Sequence, residues 1–474
     1  MLFNSFDFLL FFPIVCILFF LSPHKYRWLI LLLASCYFYM YFIPVYIFIL
    51  AGTIVVDYFA GILIEKSKGK ERKYYLIISL ISNILVLAVF KYYNFILDNL
   101  TAILESVGLH NHLSYLSILL PVGLSFHTFQ AMSYTIEVYR GNQKAEKHFG
   151  IYALYVMFFP QLVAGPIERP QNVIHQFHKK INFNLSNFAK GSKLMLWGFF
   201  IKVVVADRLS VYVNAVYSNV DHHSGITLLL ATLFFSIQIY CDFAGYSYIA
   251  IGSAKILGFD LMTNFNRPYF AKSISEFWKR WHISLSTWFR DYLYFPLGGN
   301  KVAKYRWYFN LFIVFLVSGI WHGANWTFVI WGALNGFYLI FAIVTQRYRN
   351  VINNFLGLNK NKYVFSFIQI ITTFLLSSFA WIFFRANNVN DAFTIIHKIS
   401  MGLTSDLFVK FDVFFAVLIG LSILFLKEIR EEYFTNKFEF IRNPSLRVLV
   451  FSTLIILILL LGVFDSGQFI YFQF

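Results

Sequence analysis

Apolar runs of about bilayer-spanning length recur from one end of this chain to the other. A helix needs roughly 20 apolar residues to cross the hydrocarbon. Hydropathy predicts such segments at residues 6–21, 28–42, 45–64, 74–97, 118–138, 189–206, 225–257, 365–384, 411–426 and 448–464. Composition agrees: of 474 residues, 59% are hydrophobic and only 13% charged. Soluble domains are closer to a quarter charged. Phe alone supplies 59 residues, so the apolar surface comes from large side chains that water would not accept. No soluble domain of ordinary size fits between the runs. The expectation is one membrane-embedded all-α unit over residues 1–474, with about eleven transmembrane or re-entrant helices.

The formal net charge of +16 suggests nucleic acid only at first sight. The cations lie in short runs between apolar segments, such as 65–73 (EKSKGKERK) and 427–447, and the positive-inside rule accounts for them without nucleic acid. With those runs inside, Arg140, Lys144 and Lys147 also fall inside, and both termini are predicted extracytoplasmic. The first residues carry Asp7 and no basic n-region, so they read as a retained span. Cys16, Cys36 and Cys241 have no metal-type spacing, and neither a disulfide nor a metal site is expected.

Residues 308–344 are almost uncharged over 344 − 308 + 1 = 37 residues. One helix of that length would reach roughly 55 Å at ~1.5 Å per residue, against about 30 Å of hydrocarbon. The run therefore breaks, and the small, polar stretch 318–325 (SGIWHGAN) is the natural place. Irregular backbone at that depth needs cover from protein or a water-filled cavity. Residues 255–306 form a basic, aromatic stretch that reads as cytoplasmic interfacial or re-entrant helices.

Ionisable groups within the membrane are costly and often functional. His322 lies at the predicted break. A neutral imidazole there can take a proton from a hydroxyl, or it can simply bond between helices. His282, in EFWKRWHISLSTWFRDYLYFPLGGN, reads either as an interfacial side chain reaching water or as a second catalytic group. Asp242, within an apolar run, needs a partner: a basic residue, a histidine or an interhelical hydrogen bond. Gln161 to Pro170 and Pro296 to Asn300 read as turns. Walker A, GxSxG and HExxH patterns are missing, so ATPase, serine-hydrolase and zincin readings lack support.

Four segments together, QLVAGPIERP, YCDFAGYSYIAIGSAKILGF, NFNRPYFAKSISEFWKRWHISLSTWFRDYLYFPLGGN and SGIWHGANWTFVIWGALNG, resemble the membrane-bound O-acyltransferase (MBOAT) family. More narrowly, they resemble its bacterial branch that O-acetylates alginate and peptidoglycan. The terminal FIYFQF fits the same branch. The resemblance covers nearly the whole chain. It implies a bundle of helices around a tunnel, with His322 at the constriction and His282 near a cytoplasmic donor entrance. It implies acetyl-CoA as donor substrate and no permanently bound cofactor. The implied partner is an extracytoplasmic transferase of the SGNH-hydrolase type, and the implied site is the bacterial inner membrane. Lys279, Arg280 and Arg290, with Lys272, are then candidates for the donor phosphates, beside Trp281. Asn325, Asp242 and Trp321 complete the candidate pocket. Rival readings are D-alanyl or other acyl transfer from a carrier protein, a transporter using its buried His and Asp as a proton relay, and a scaffold without chemistry.

Overall fold

A computed structural model of the chain describes residues 1–117, 121, 123–163, 165–402, 407–408, 411–434 and 443–464. Among the described residues the regular structure is helical, without strands. Among the described residues, five helical segments are long and apolar enough to cross a membrane: Pro44–Lys66, Lys70–Ser106, Gly225–Ile256, Trp326–Val344 and Lys362–Arg385. Phe6–Leu21 and Ser445–Leu461 are shorter apolar helices. The chain divides into two compact units, Met1–Met195 with Tyr246–Met262, and Leu196–Gly245 with Thr263–Phe474.

In the first unit, Ser5 caps the Phe6–Leu21 helix by accepting from the Phe8 N–H. The next helix starts at His24, earlier than hydropathy suggests. Arg27 lies in its first turn, where its guanidinium donates to the Ser22, Phe20 and Ile181 carbonyls and so need not sit in a loop. The segment predicted at 74–97 is longer, running from Lys70 to Ser106 with a π turn at Ala88–Tyr92. The fifth predicted segment begins later, at Leu124, after Gly123 at φ 75°. Residues 118–120 and 122 lie outside the described residues. Helices Ile47–Lys66, Lys70–Leu87 and Leu124–Arg140 are joined by a buried polar cluster. The Asp57 carboxylate accepts from Ser79 Oγ at 2.6 Å and Asn83 Nδ2 at 2.8 Å, and Ser79 Oγ lies 2.9 Å from Thr135 Oγ1. Such bonds hold helices together where lipid removes the hydrophobic drive between them.

The second unit carries the family-like motifs around His282 and His322. The 263–306 part of the basic stretch contains two seven-residue helices, Ile274–Arg280 and Ile283–Phe289, and a π turn, Arg290–Tyr294. None is long enough to span. The Phe411–Tyr433 helix runs past the predicted end at 426 because its last turns are ion-paired: Lys427 to Glu431 at 2.7 Å, and Glu432 to Arg267 and Arg280. The terminal FIYFQF lies outside the described residues.

Candidate active site

The 37-residue apolar run is a helical hairpin. Lys304–His322 and Trp326–Val344 are joined by Gly323, Ala324 and Asn325. The break is narrower than the predicted 318–325, since Ser318 to His322 remain helical and their backbone bonds stay satisfied. Asn325 caps the second helix by accepting from the Thr327 N–H at 2.9 Å, while its Nδ2 donates to the Asn387 carbonyl at 3.0 Å. The helices touch through glycine. A Cβ on Gly319 would stand 2.3 Å from the Phe328 carbonyl oxygen and 2.9 Å from Gly332 Cα; one on Gly332 would stand 2.5 Å from the Phe315 carbonyl oxygen. Small residues allow this approach in membrane proteins.

That approach seats His322, the last residue of its helix, in an aromatic box. Its ring lies 4.8 Å from Trp321, 5.0 Å from Trp331 and 5.3 Å from Phe384, centroid to centroid, and the residue is 6% exposed. Trp331 in turn stacks on Trp381 at 5.7 Å, and Trp381 lies 5.0 Å from Trp281. An indole chain thus runs from His322 to the residue before His282.

His282 is 1% exposed and holds a left-handed backbone, φ 41° and ψ 57°. A non-glycine residue pays strain there and persists only where its surroundings fix it. Asn264 does so: its carbonyl accepts from the Ile283 N–H at 2.9 Å and its side-chain oxygen from Ser284 Oγ at 2.9 Å. The imidazole meets the Phe243 ring edge-on at 4.6 Å. Burial lowers its pKa from 6.5 to about 3, so the ring is neutral near pH 7.

Beside the hairpin lies a cavity of about 650 Å³, within the roughly 300–1,000 Å³ usual for small-molecule sites. Its wall includes Ser275, Trp278 and Lys279, then Ile283, Ser286, Thr287 and Arg290, and on the His322 helix Leu311, Val314, Phe315 and Ser318. Ser318 is one turn from His322. Trp278 lies 5.7 Å from Trp331, the indole that faces His322. Two cations, a row of hydroxyls and an apolar floor make a wall suited to a ligand with both charged and apolar parts.

The predicted donor-binding residues separate. Lys279 and Arg290 line the cavity and are exposed, Arg290 also meeting Asp291 at 2.8 Å. Arg280 is not in the wall; it bonds Glu276 at 2.7 Å and Glu432 at 2.9 Å. Trp281 is buried among Phe277, Phe265 and Trp381. Asp242 stands 2.5 Å from Lys202 Nζ, which also meets Asp207 at 2.7 Å, so its partner is basic. Trp321 contacts His322, and Asn325 serves as a cap. Among the described residues no three of His, Cys, Asp and Glu converge as metal ligands. Sequence reasoning did not single out Ser275, Ser286, Thr287 or Ser318 as lining residues. The signal was present: 283, 286, 287, 290 and 311, 314, 315, 318 both follow the i, i+3, i+4, i+7 period of one helical face.

The model of the MBOAT, membrane-bound O-acyltransferase family, matches residues 148–384, which hold both histidines and every residue named in the cavity wall. The chain is 40% identical over 395 residues to the protein named "Probable alginate O-acetylase AlgI" of Pseudomonas aeruginosa, covering 83% of this chain and 73% of that one. It is 36% identical over 396 residues to the peptidoglycan O-acetyltransferase of Helicobacter pylori, covering 77% and 72%. The teichoic acid D-alanyltransferase of Bacillus subtilis is 30% identical over 234 residues, 47% of this chain and 57% of that protein.

The chain belongs to the membrane-bound O-acyltransferase family. It is a multi-pass membrane O-acyltransferase.

Proposed function

We propose that this O-acyltransferase moves acetyl from acetyl-CoA, taken up on the cytoplasmic side of the bacterial inner membrane, toward a hydroxyl of a cell-envelope polysaccharide. The observation that carries the reading is the cavity joining exposed Lys279 and Arg290 to Ser318, one helical turn from His322. Lys279 and Arg290 attract the donor phosphates, and Trp278 and Phe315 cover its apolar arm. The imidazole of His322 takes the proton of the acceptor hydroxyl as that oxygen attacks the thioester carbonyl. The C–S bond then breaks and the imidazolium returns the proton to the thiolate. The backbone around the Gly323 break offers N–H groups to the oxyanion. A separate extracytoplasmic enzyme of the SGNH-hydrolase type completes the transfer to the polymer. The names of the two relatives that match most of the chain support acetyl over D-alanyl.

The test uses liposomes carrying the full chain, with acetyl-labelled acetyl-CoA on the cytoplasmic face and His322→Ala beside wild type. Loss of a general base lowers transfer by about 10²–10⁴-fold. A folded His322→Ala protein with full transfer overturns the assignment. If wild type ignores acetyl-CoA even with the outer enzyme added, the donor is another acyl carrier.

A further inference from the structure

Between Asp291 and Asp391 lie 391 − 291 − 1 = 99 residues without one Asp or Glu, and eight of them are Lys or Arg. Seven gather near the hairpin's open end. Gly319 meets Gly332 and Gly336 meets Phe312, so facing residue numbers sum to about 650 and Val344 stands level with Arg306. Lys301, Lys304 and Arg306 therefore share an end with Arg347 and Arg349, and Lys360 and Lys362 close the same connection before the next long helix. All seven are exposed, and none is ion-paired among the described residues.

The connection itself is a ten-residue helix, Gln346–Phe355, with no buried residue. Tyr348, Val351, Ile352 and Phe355 follow i, i+3, i+4, i+7 and are all exposed, Tyr348 by 70% and Phe355 by 88%. A water-facing helix gains nothing from such a stripe. An apolar stripe flanked by cations is the pattern of a helix lying in the membrane–water interface.

We propose that the Gln346–Phe355 helix, with Lys301, Lys304, Arg306, Arg347, Arg349, Lys360 and Lys362, is a docking surface for a bilayer carrying anionic phospholipid headgroups. The stripe enters the acyl boundary and the cations meet phosphates. Charge complementarity selects anionic over zwitterionic lipid, because no carboxylate of this segment competes. The apolar stripe selects a lipid surface over a soluble anion. Since the helix directly follows Trp326–Val344, lipid docking also tethers the hairpin whose other helix ends at His322. The inference does not rest on the donor or the acceptor.

The full chain in phosphatidylcholine vesicles is examined with spin-labelled phosphatidylglycerol and spin-labelled phosphatidylcholine, comparing the motionally restricted fractions. Each juxtamembrane cation is expected to favour anionic lipid by about fivefold. Wild type should restrict phosphatidylglycerol preferentially, and salt near 1 M should weaken the preference. The Arg347→Gln/Arg349→Gln/Lys360→Gln/Lys362→Gln protein should lower the ratio several-fold while the three cations left on the surface keep part of the preference, with its thermal unfolding in neutral lipid unchanged. Should that protein fail to fold, Arg347→Gln and Lys360→Gln singly should each lower the ratio. An equal ratio for variants and wild type overturns the proposal. So does a preference abolished by millimolar soluble nucleotide, which would mark a site for free phosphates.

Discussion

His322 stands edge-on to Trp331, ring centroids 5.0 Å apart and planes at 88°, and the two come from opposite helices of one hairpin. The contact exists because Gly319 and Gly332 let the helix backbones meet. The candidate base is thus held by a close approach one turn away.

Widening that approach should disable the site. Gly319→Ala places a methyl 2.3 Å from a backbone oxygen that cannot rotate away. Overpacking of this kind costs typically about 1–3 kcal/mol. We expect lower thermal stability and a larger fall in acyl transfer than in stability, with Gly319→Val worse in both. A folded Gly319→Val protein with normal transfer would detach His322 from the hairpin contact.

Lys279 and Arg290 should behave differently from Arg280. Lys279→Gln and Arg290→Gln remove exposed cations from the cavity wall. They should raise the KM for a phosphorylated donor, leave kcat within a few-fold, and leave unfolding unchanged. Arg280→Gln should lower stability instead, since Glu432 loses one of its two arginines. Steady-state kinetics and thermal unfolding of the three variants separate these roles.

Lys202 serves two buried carboxylates, at 2.7 Å and 2.5 Å. Removing one partner of a buried ion pair costs about 3–5 kcal/mol because the remaining charge is stranded. Lys202→Met should therefore destabilise strongly, and Lys202→Met/Asp242→Asn should recover part of the loss. A double variant no more stable than the single would show that Asp242 does not depend on Lys202.

Stability should fall in two steps on acidification. His282 has a folded pKa of about 3 against 6.5 unfolded. A lowered folded pKa means that the contribution is complete above pH 6.5 and is lost as pH falls toward 3. Glu432 is also lowered: burial pushes its carboxyl up, but the hydrogen bonds from Arg280 and Arg267, with their charges, outweigh that. Its contribution is complete above the usual 4.5 and disappears below it. In unfolding scans, His282→Gln should flatten the profile between pH 6.5 and 4.5, and Glu432→Gln should flatten it below 4.5.

Much of this was legible in the sequence because the signals are local. Hydropathy marked the apolar runs, and the length of 308–344 required a hairpin whatever its surroundings. The observed turn is Gly323 to Asn325, inside the predicted interval. Boundaries were less legible where side chains carry a helix beyond its apolar run. Arg27 extends a helix start by donating to carbonyls, and Glu432 extends a helix end by pairing with arginines distant in sequence.

The sequence alone determined a membrane-embedded helical chain, a break beside His322 and the membership of its motifs in one acyltransferase family. These follow from composition, run length and residue order, which need no folding to be read. Only the tertiary structure decided that Arg280 is held by Glu432, 152 residues away, while Lys279 stays in the cavity wall; that Asp242 meets Lys202; and that His282 is buried against Phe243. A charge in sequence has no partner until distant helices are brought together, and in a medium that solvates charge poorly the partner decides what each ionisable residue is free to do.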